Sequence, residues 1–83
     1  APSELWLERV QKRRLAVSPD HEDYPSLLSE AMDRIQMHKG DAVSAASDLK
    51  TSTSQLLKLL RHQPRAMQLV NGLRRHHQLK KLH

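Results

Sequence analysis

The chain has 83 residues, with no Phe, one Trp, one Tyr, no Cys and a net charge of +5. That length supports one domain with a modest aliphatic core, and the missing cysteine excludes disulfides and thiolate metal sites. No apolar run is long enough to span a bilayer, and the residues after Ala1 lack a signal-peptide pattern. A cytoplasmic domain excised from a longer protein is expected. Scarce Gly and few β-branched clusters point to an all-α fold.

Residues 4–14, ELWLERVQKRR, are expected to form a short helix capped by Ser3, with Leu5, Trp6 and Val10 on one side. Trp6 either docks on the core or belongs to an interface with a partner. Residues 15–25 read as a connector bracketed by Pro19 and Pro25, with a short extended piece at 15–17 and Tyr24 against the core. Residues 1–24 thus form an arm and connector, and 25–83 the helical core, of one domain spanning 1–83.

Residues 26–38 give the clearest helix. Leu27, Leu28, Ala31, Met32 and Ile35 form its apolar stripe, Glu30 and Arg34 are placed to pair, and Gly40 stops it. Asp41 can cap a helix over 42–49, and Ser52 or Thr53 one that runs to about residue 62. Pro64 opens a last helix to about residue 77, after which Leu79 and Leu82 can fold back. The expected core comprises the 26–38 stripe, then Ala42, Ala45, Ala46, Leu49, Leu56, Leu60, Met67, Val70 and Leu73. The whole is a small bundle of four to five short helices.

Within it, AASDLKTSTSQLLKLLR has the order of a helix-turn-helix, over about 41–62. Ala45 and Ala46 supply the small positions where the helices cross. Lys50 stands where DNA-binding versions often carry a glycine of positive φ, at a cost of about 1 kcal/mol. Thr53, Ser54, Gln55, Lys58 and Arg61 are competent phosphate donors. Leu57 occupies an outer position that a base-reading helix gives to a polar group. It suits contact with another helix or with a protein.

Charge is one-sided. All nine acids lie between Glu4 and Asp48. Residues 51–83 carry Lys58, Arg61, Arg65, Arg74, Arg75, Lys80 and Lys81, four histidines and no acid. Such a run favours a polyanion partner, although a basic face can also serve solubility alone. A nucleic acid held by its backbone, RNA or DNA, is the first expectation, because such binding needs cations more than base readers. A protein partner meeting Trp6 and Leu57 is the alternative. No heptad suggests a dimer, so a monomer is expected, without cofactor and away from membranes. His76 and His77 are adjacent and cannot share one helix face as ligands, and His38 and His62 lack a partner one turn away. Asp20, Glu22 and Asp23 surround His21, but nothing there fixes an acid–base geometry. With no Cys nucleophile and no phosphate-cradling Gly loop, the chain is not expected to be an enzyme by itself.

The motifs SELW..R, V.P.HEDYP.LL.EA.D, AA..L..STSQL.K.L and VN..R...QL..L span nearly the whole chain. Together they resemble the C-terminal region of peptide chain release factor-like proteins of planctomycete-type bacteria. Two positions depart from that family, whose turn is glycine-like at Lys50 and whose closing segment reads GL at Gln78 and Leu79. The family's catalytic GGQ loop is absent here. The resemblance therefore implies an accessory domain that grips ribosomal RNA or tRNA and holds a separate catalytic domain at its peptidyl-tRNA substrate.

Overall fold

The computed structural model describes residues 2–83. In chain order these form α1 (Glu4–Arg9), β1 (Val10–Gln11), β2 (Arg14–Leu15), α2 (Tyr24–Met37), α3 (Ala42–Asp48), α4 (Thr53–Arg61) and α5 (Pro64–His76). The helical class holds, with one small antiparallel hairpin added.

That hairpin corrects the expected helix over 4–14. Ser3 does cap α1, its hydroxyl accepting from the Trp6 N–H at 3.1 Å. The helix stops at Arg9, and Lys12 and Arg13 turn the chain with φ of 51° and 67°. Two successive left-handed residues make the tight turn whose twist suits a hairpin. Val10 then pairs with Leu15, and both pack on the core. Tertiary contacts outweigh the helical preference of the arginines. The Leu15 N–H donates to Gln55 Oε1 at 3.2 Å, and the Thr51 hydroxyl to the Arg13 carbonyl at 2.7 Å.

Helix α2 begins two residues before the expected start. Pro25 falls in its first turn, where a missing N–H costs nothing. This brings Tyr24 inside, its hydroxyl donating to the Leu59 carbonyl at 2.7 Å. Burial pushes the Tyr24 phenol upward from its ordinary pKa. Arg34 pairs with Asp48 at 2.8 Å, and Glu30 accepts from Ser3. Asp41 caps α3, its carboxylate accepting from the Val43 and Ser44 N–H groups.

Helices α2, α3 and α5 end alike. After α3, the Lys50 N–H donates to the Ser47 carbonyl and the Thr51 N–H to the Ala46 carbonyl. The same paired bonds, with Lys39 and Gln78 as the left-handed residue, close α2 and α5. Lys50, at φ 58°, has the positive φ anticipated for its turn. At the end of α2 that role falls to Lys39, one residue before Gly40.

Gly40 answers a second need. Its φ is +89°, and an added Cβ would lie 3.0 Å from Arg74 Cγ. At Gly72, inside α5, an added Cβ would meet nothing within 4 Å. The two alanine substitutions therefore have opposite signs. Gly40→Ala should lower stability by about 1–3 kcal/mol. Gly72→Ala should raise it by about 0.5–1 kcal/mol. Paired urea melts check this, and two shifts in the same direction would contradict it.

Trp6, Leu27, Ile35, Leu49, Leu56 and Leu60 are fully buried, with Ala31, Ala42, Ala45, Ala46 and Val70 around them. Leu28, Met32, Met67 and Leu73 differ from expectation, being half-buried at the edge of the core. Tyr24, Leu59, Ala66 and Thr51 are buried as well. Helix α4 contacts α2, α3, α5 and β2, so its buried arc is wide enough to take in Leu59.

Asp48 joins α2 to α3, receiving Arg34 at 2.8 Å and His38 at 3.3 Å. The Arg34 hydrogen bond, then that of His38, holds its carboxyl below the ordinary value. A lowered folded-state pKa means stability that is complete above the ordinary carboxylate range and is lost as pH falls through the folded value. Asp48→Asn should flatten the acid limb of the stability curve, read as urea midpoints from about pH 6 to 3. An unchanged slope would show that the pair adds nothing.

Candidate nucleic-acid interface

Two cationic regions flank α4. The first is built by the hairpin. Its exposed Lys12, Arg13 and Arg14 sit beside the start of α4, because the Arg13 carbonyl receives the Thr51 hydroxyl and the Ser52 N–H. Arg13 Nη2 returns a bond to the Thr51 carbonyl at 3.3 Å. Ser52 caps α4, accepting from the Gln55 N–H at 3.1 Å. Exposed Lys50 lies in the same turn. A helical reading of 4–14 hides this group. The signal that could have exposed it is the Val10 and Leu15 pair around a polar centre, although Lys-Arg is a poor hairpin-turn dipeptide.

The second region lies between α4, α5 and the returning tail, 78–83. Arg61, Arg75, Lys81 and His83 line a groove of about 910 Å³ whose apolar lining includes Pro64, Met67, Leu79 and Leu82. Side chains bind the tail through its backbone. Asn71 donates to the Leu82 carbonyl at 3.0 Å and accepts from the Leu82 N–H at 2.7 Å. Arg61 Nε donates to the His83 carbonyl at 2.8 Å. The expected fold-back of Leu79 and Leu82 is present, with Leu82 half-buried against the core and Leu79 39% exposed.

Of the ten residues expected to meet nucleic acid, Arg61, Arg75 and Lys81 come together on the groove. Arg65 is exposed in the first turn of α5, and Lys80 on the tail. Lys58 is exposed over a shallow hollow with Leu15, Val17 and His62. Ser54 is exposed and Thr53 half-buried at the start of α4. Gln55 is held by the hairpin through its Oε1. Arg74 departs most from expectation. Its Nη1 donates to the Gly40 carbonyl at 2.6 Å and its Nε to the Lys80 carbonyl at 2.7 Å. It clasps the α2–α3 turn to the tail instead of standing free for phosphate.

The two residues expected to meet a protein partner are turned inward. Trp6 is fully buried, its Nε1 donating to the Leu49 carbonyl at 2.7 Å. Of the two roles open to it, docking on the core is the one it takes. Leu57 is half-buried and packs on the domain's own core.

No protein-family model, curated protein or solved structure matches this chain. The likeness to release factor-like proteins therefore stands on the sequence motifs alone. Among the described residues, no group of three His, Cys, Asp or Glu side chains could hold a metal ion, and no helix is long and apolar enough to cross a membrane.

Electrostatically the surface is divided. Residues 51–83 contain no acid. Elsewhere Asp23 pairs with Arg9, Asp48 with Arg34, and Glu30 with Ser3. The cations of α4, α5 and the tail thus lack carboxylates from their own segment to neutralise them, which leaves them free to attract an anion.

Proposed function

We propose that this domain is a non-catalytic, cytoplasmic RNA-binding module that acts as a monomer and grips the phosphate backbone. The observation that carries the reading is the exposed cationic surface of α4, α5 and the tail, whose own segment carries no acid, extended by the hairpin arginines. The α3–α4 pair is read as a helix-turn-helix used for packing and phosphate contact. The solvent face of α4 supports RNA over base-specific DNA reading. It offers Ser54, Lys58 and Arg61 as its exposed side chains, with His62 just past its end, and the Gln55 amide oxygen is already bonded. Base discrimination usually needs more edge-reading groups than that. The resemblance to release factor-like proteins adds a setting, in which ribosomal RNA or tRNA is the partner and a separate domain is the catalyst.

Fluorescence anisotropy with a structured RNA and a mixed-sequence DNA duplex, over a salt series, tests this. The expected result is binding that weakens linearly in log–log salt, by about 0.7–0.9 per phosphate contacted, and is tighter for RNA. Strong preference for one duplex sequence would favour a DNA regulator. Salt-insensitive binding, or none, would overturn the reading.

One observation favours a protein partner as a second reading. Leu28, Met32, Leu69 and Leu73 line an apolar groove of about 540 Å³ between α2 and α5, with Leu69 58% exposed.

A further inference from the structure

A surface that only grips phosphate needs cations and no apolar floor. The groove walled by the tail has both. Met67 and Leu82 are half-buried within it, Leu79 is 39% exposed, and Arg61, Arg75 and Lys81 lie on its lining. Its volume of about 910 Å³ falls within the range of small-molecule sites. From this we propose that the groove takes one unpaired nucleotide, its base against Met67, Leu79 and Leu82 and its phosphate on Arg75 and Lys81. The inference rests on the RNA reading and narrows it to single-stranded segments. In a duplex the base faces are stacked inside and cannot reach such a floor, whereas an unpaired base presents its face. The Met67 thioether suits a flat π surface. Arg61 uses Nε on the His83 carbonyl and keeps its terminal nitrogens for an anion.

The wall of the site is a strap held at Leu82 by the neutral Asn71, and at its two ends by Arg74 on the Lys80 carbonyl and Arg61 on the His83 carbonyl. The amide nitrogen and oxygen of Asn71 both engage the Leu82 backbone, as a neighbouring strand would. The strap holds Lys81 on the same groove as Arg61 and Arg75, a like-charge gathering. A bound phosphate relieves that repulsion, so occupancy and strap closure reinforce each other.

The experiment compares three probes against the 83-residue chain. These are a short single-stranded oligouridylate, an abasic phosphodiester of equal length, and an RNA duplex. The oligouridylate should bind about 5–10-fold tighter than the abasic strand, and should shift the methyl signals of Met67, Leu79 and Leu82. Asn71→Ala removes the two bonds that hold Leu82 in the groove without changing charge. It should erase that difference while leaving duplex and abasic affinities within about twofold. If Asn71→Ala fails to fold, Leu82→Ser replaces it, and the methyl shifts of the unmodified chain decide independently. Equal affinity for oligouridylate and abasic strand, with unmoved methyls, would overturn the nucleotide site and leave phosphate gripping intact. Absence of binding to all three probes would overturn both.

Discussion

Trp6→Ala is expected to remove most of the domain's stability, about 4–8 kcal/mol. Trp6 has no exposed surface, and its indole N–H is bonded to the Leu49 carbonyl at 2.7 Å. Truncating a buried Trp to Ala costs about 3–5 kcal/mol, and the orphaned carbonyl adds about 1–3 kcal/mol. A domain of 83 residues has about 4–12 kcal/mol in total. Trp6→Phe keeps most of the volume and loses the hydrogen bond, so it should fold with about 1–3 kcal/mol less stability. Circular dichroism melts of the three proteins check the ranking. A Trp6→Ala chain that melts like the parent would mean that α1 is not part of the core.

The second large effect concerns charge and not stability. Lys58, Arg65 and Arg75 are exposed, and their side chains make no hydrogen bond within the described residues. Reversing all three to Glu takes the net charge from +5 to −1, two units for each substitution. RNA affinity should fall by about 100-fold or more at low salt, and the log–log salt slope should flatten by about 2. The melting temperature should move little, because exposed charges without partners contribute little. Arg74→Ala should do the reverse. It removes the clasp between the Gly40 and Lys80 carbonyls, so stability falls while the salt slope changes little. A triple reversal that leaves affinity unchanged would assign the cationic surface to solubility alone.

The helices were legible because each carries its own start signal. Ser3, Asp41 and Ser52 cap as polar side chains, and Pro64 stands in the first turn of α5. Pro25 was harder to read, since proline is equally at home just outside a helix and in its first turn. The hairpin was hidden for a specific reason. Lys12 and Arg13 are good helix formers in a left-handed turn whose flanking Arg13 carbonyl and Leu15 N–H are tied to Thr51, Ser52 and Gln55, some forty residues away in the chain. Local preference carries no trace of such contacts. The same holds at Lys39 and Gln78, where lysine and glutamine take positions that glycine usually marks. In the candidate interface, the acid-free run announced the cations but not their division of labour. That Arg74 would bind two carbonyls while Arg75 stayed free follows from where Gly40 and the tail meet α5.

The most direct measurement is an amide NMR titration of the labelled domain with a structured ribosomal RNA fragment, near physiological salt. Shifts should cluster at residues 51–65 and 74–81 and extend to the hairpin residues 11–14. Their absence there, or a cluster confined to the apolar groove between α2 and α5, would contradict the RNA reading.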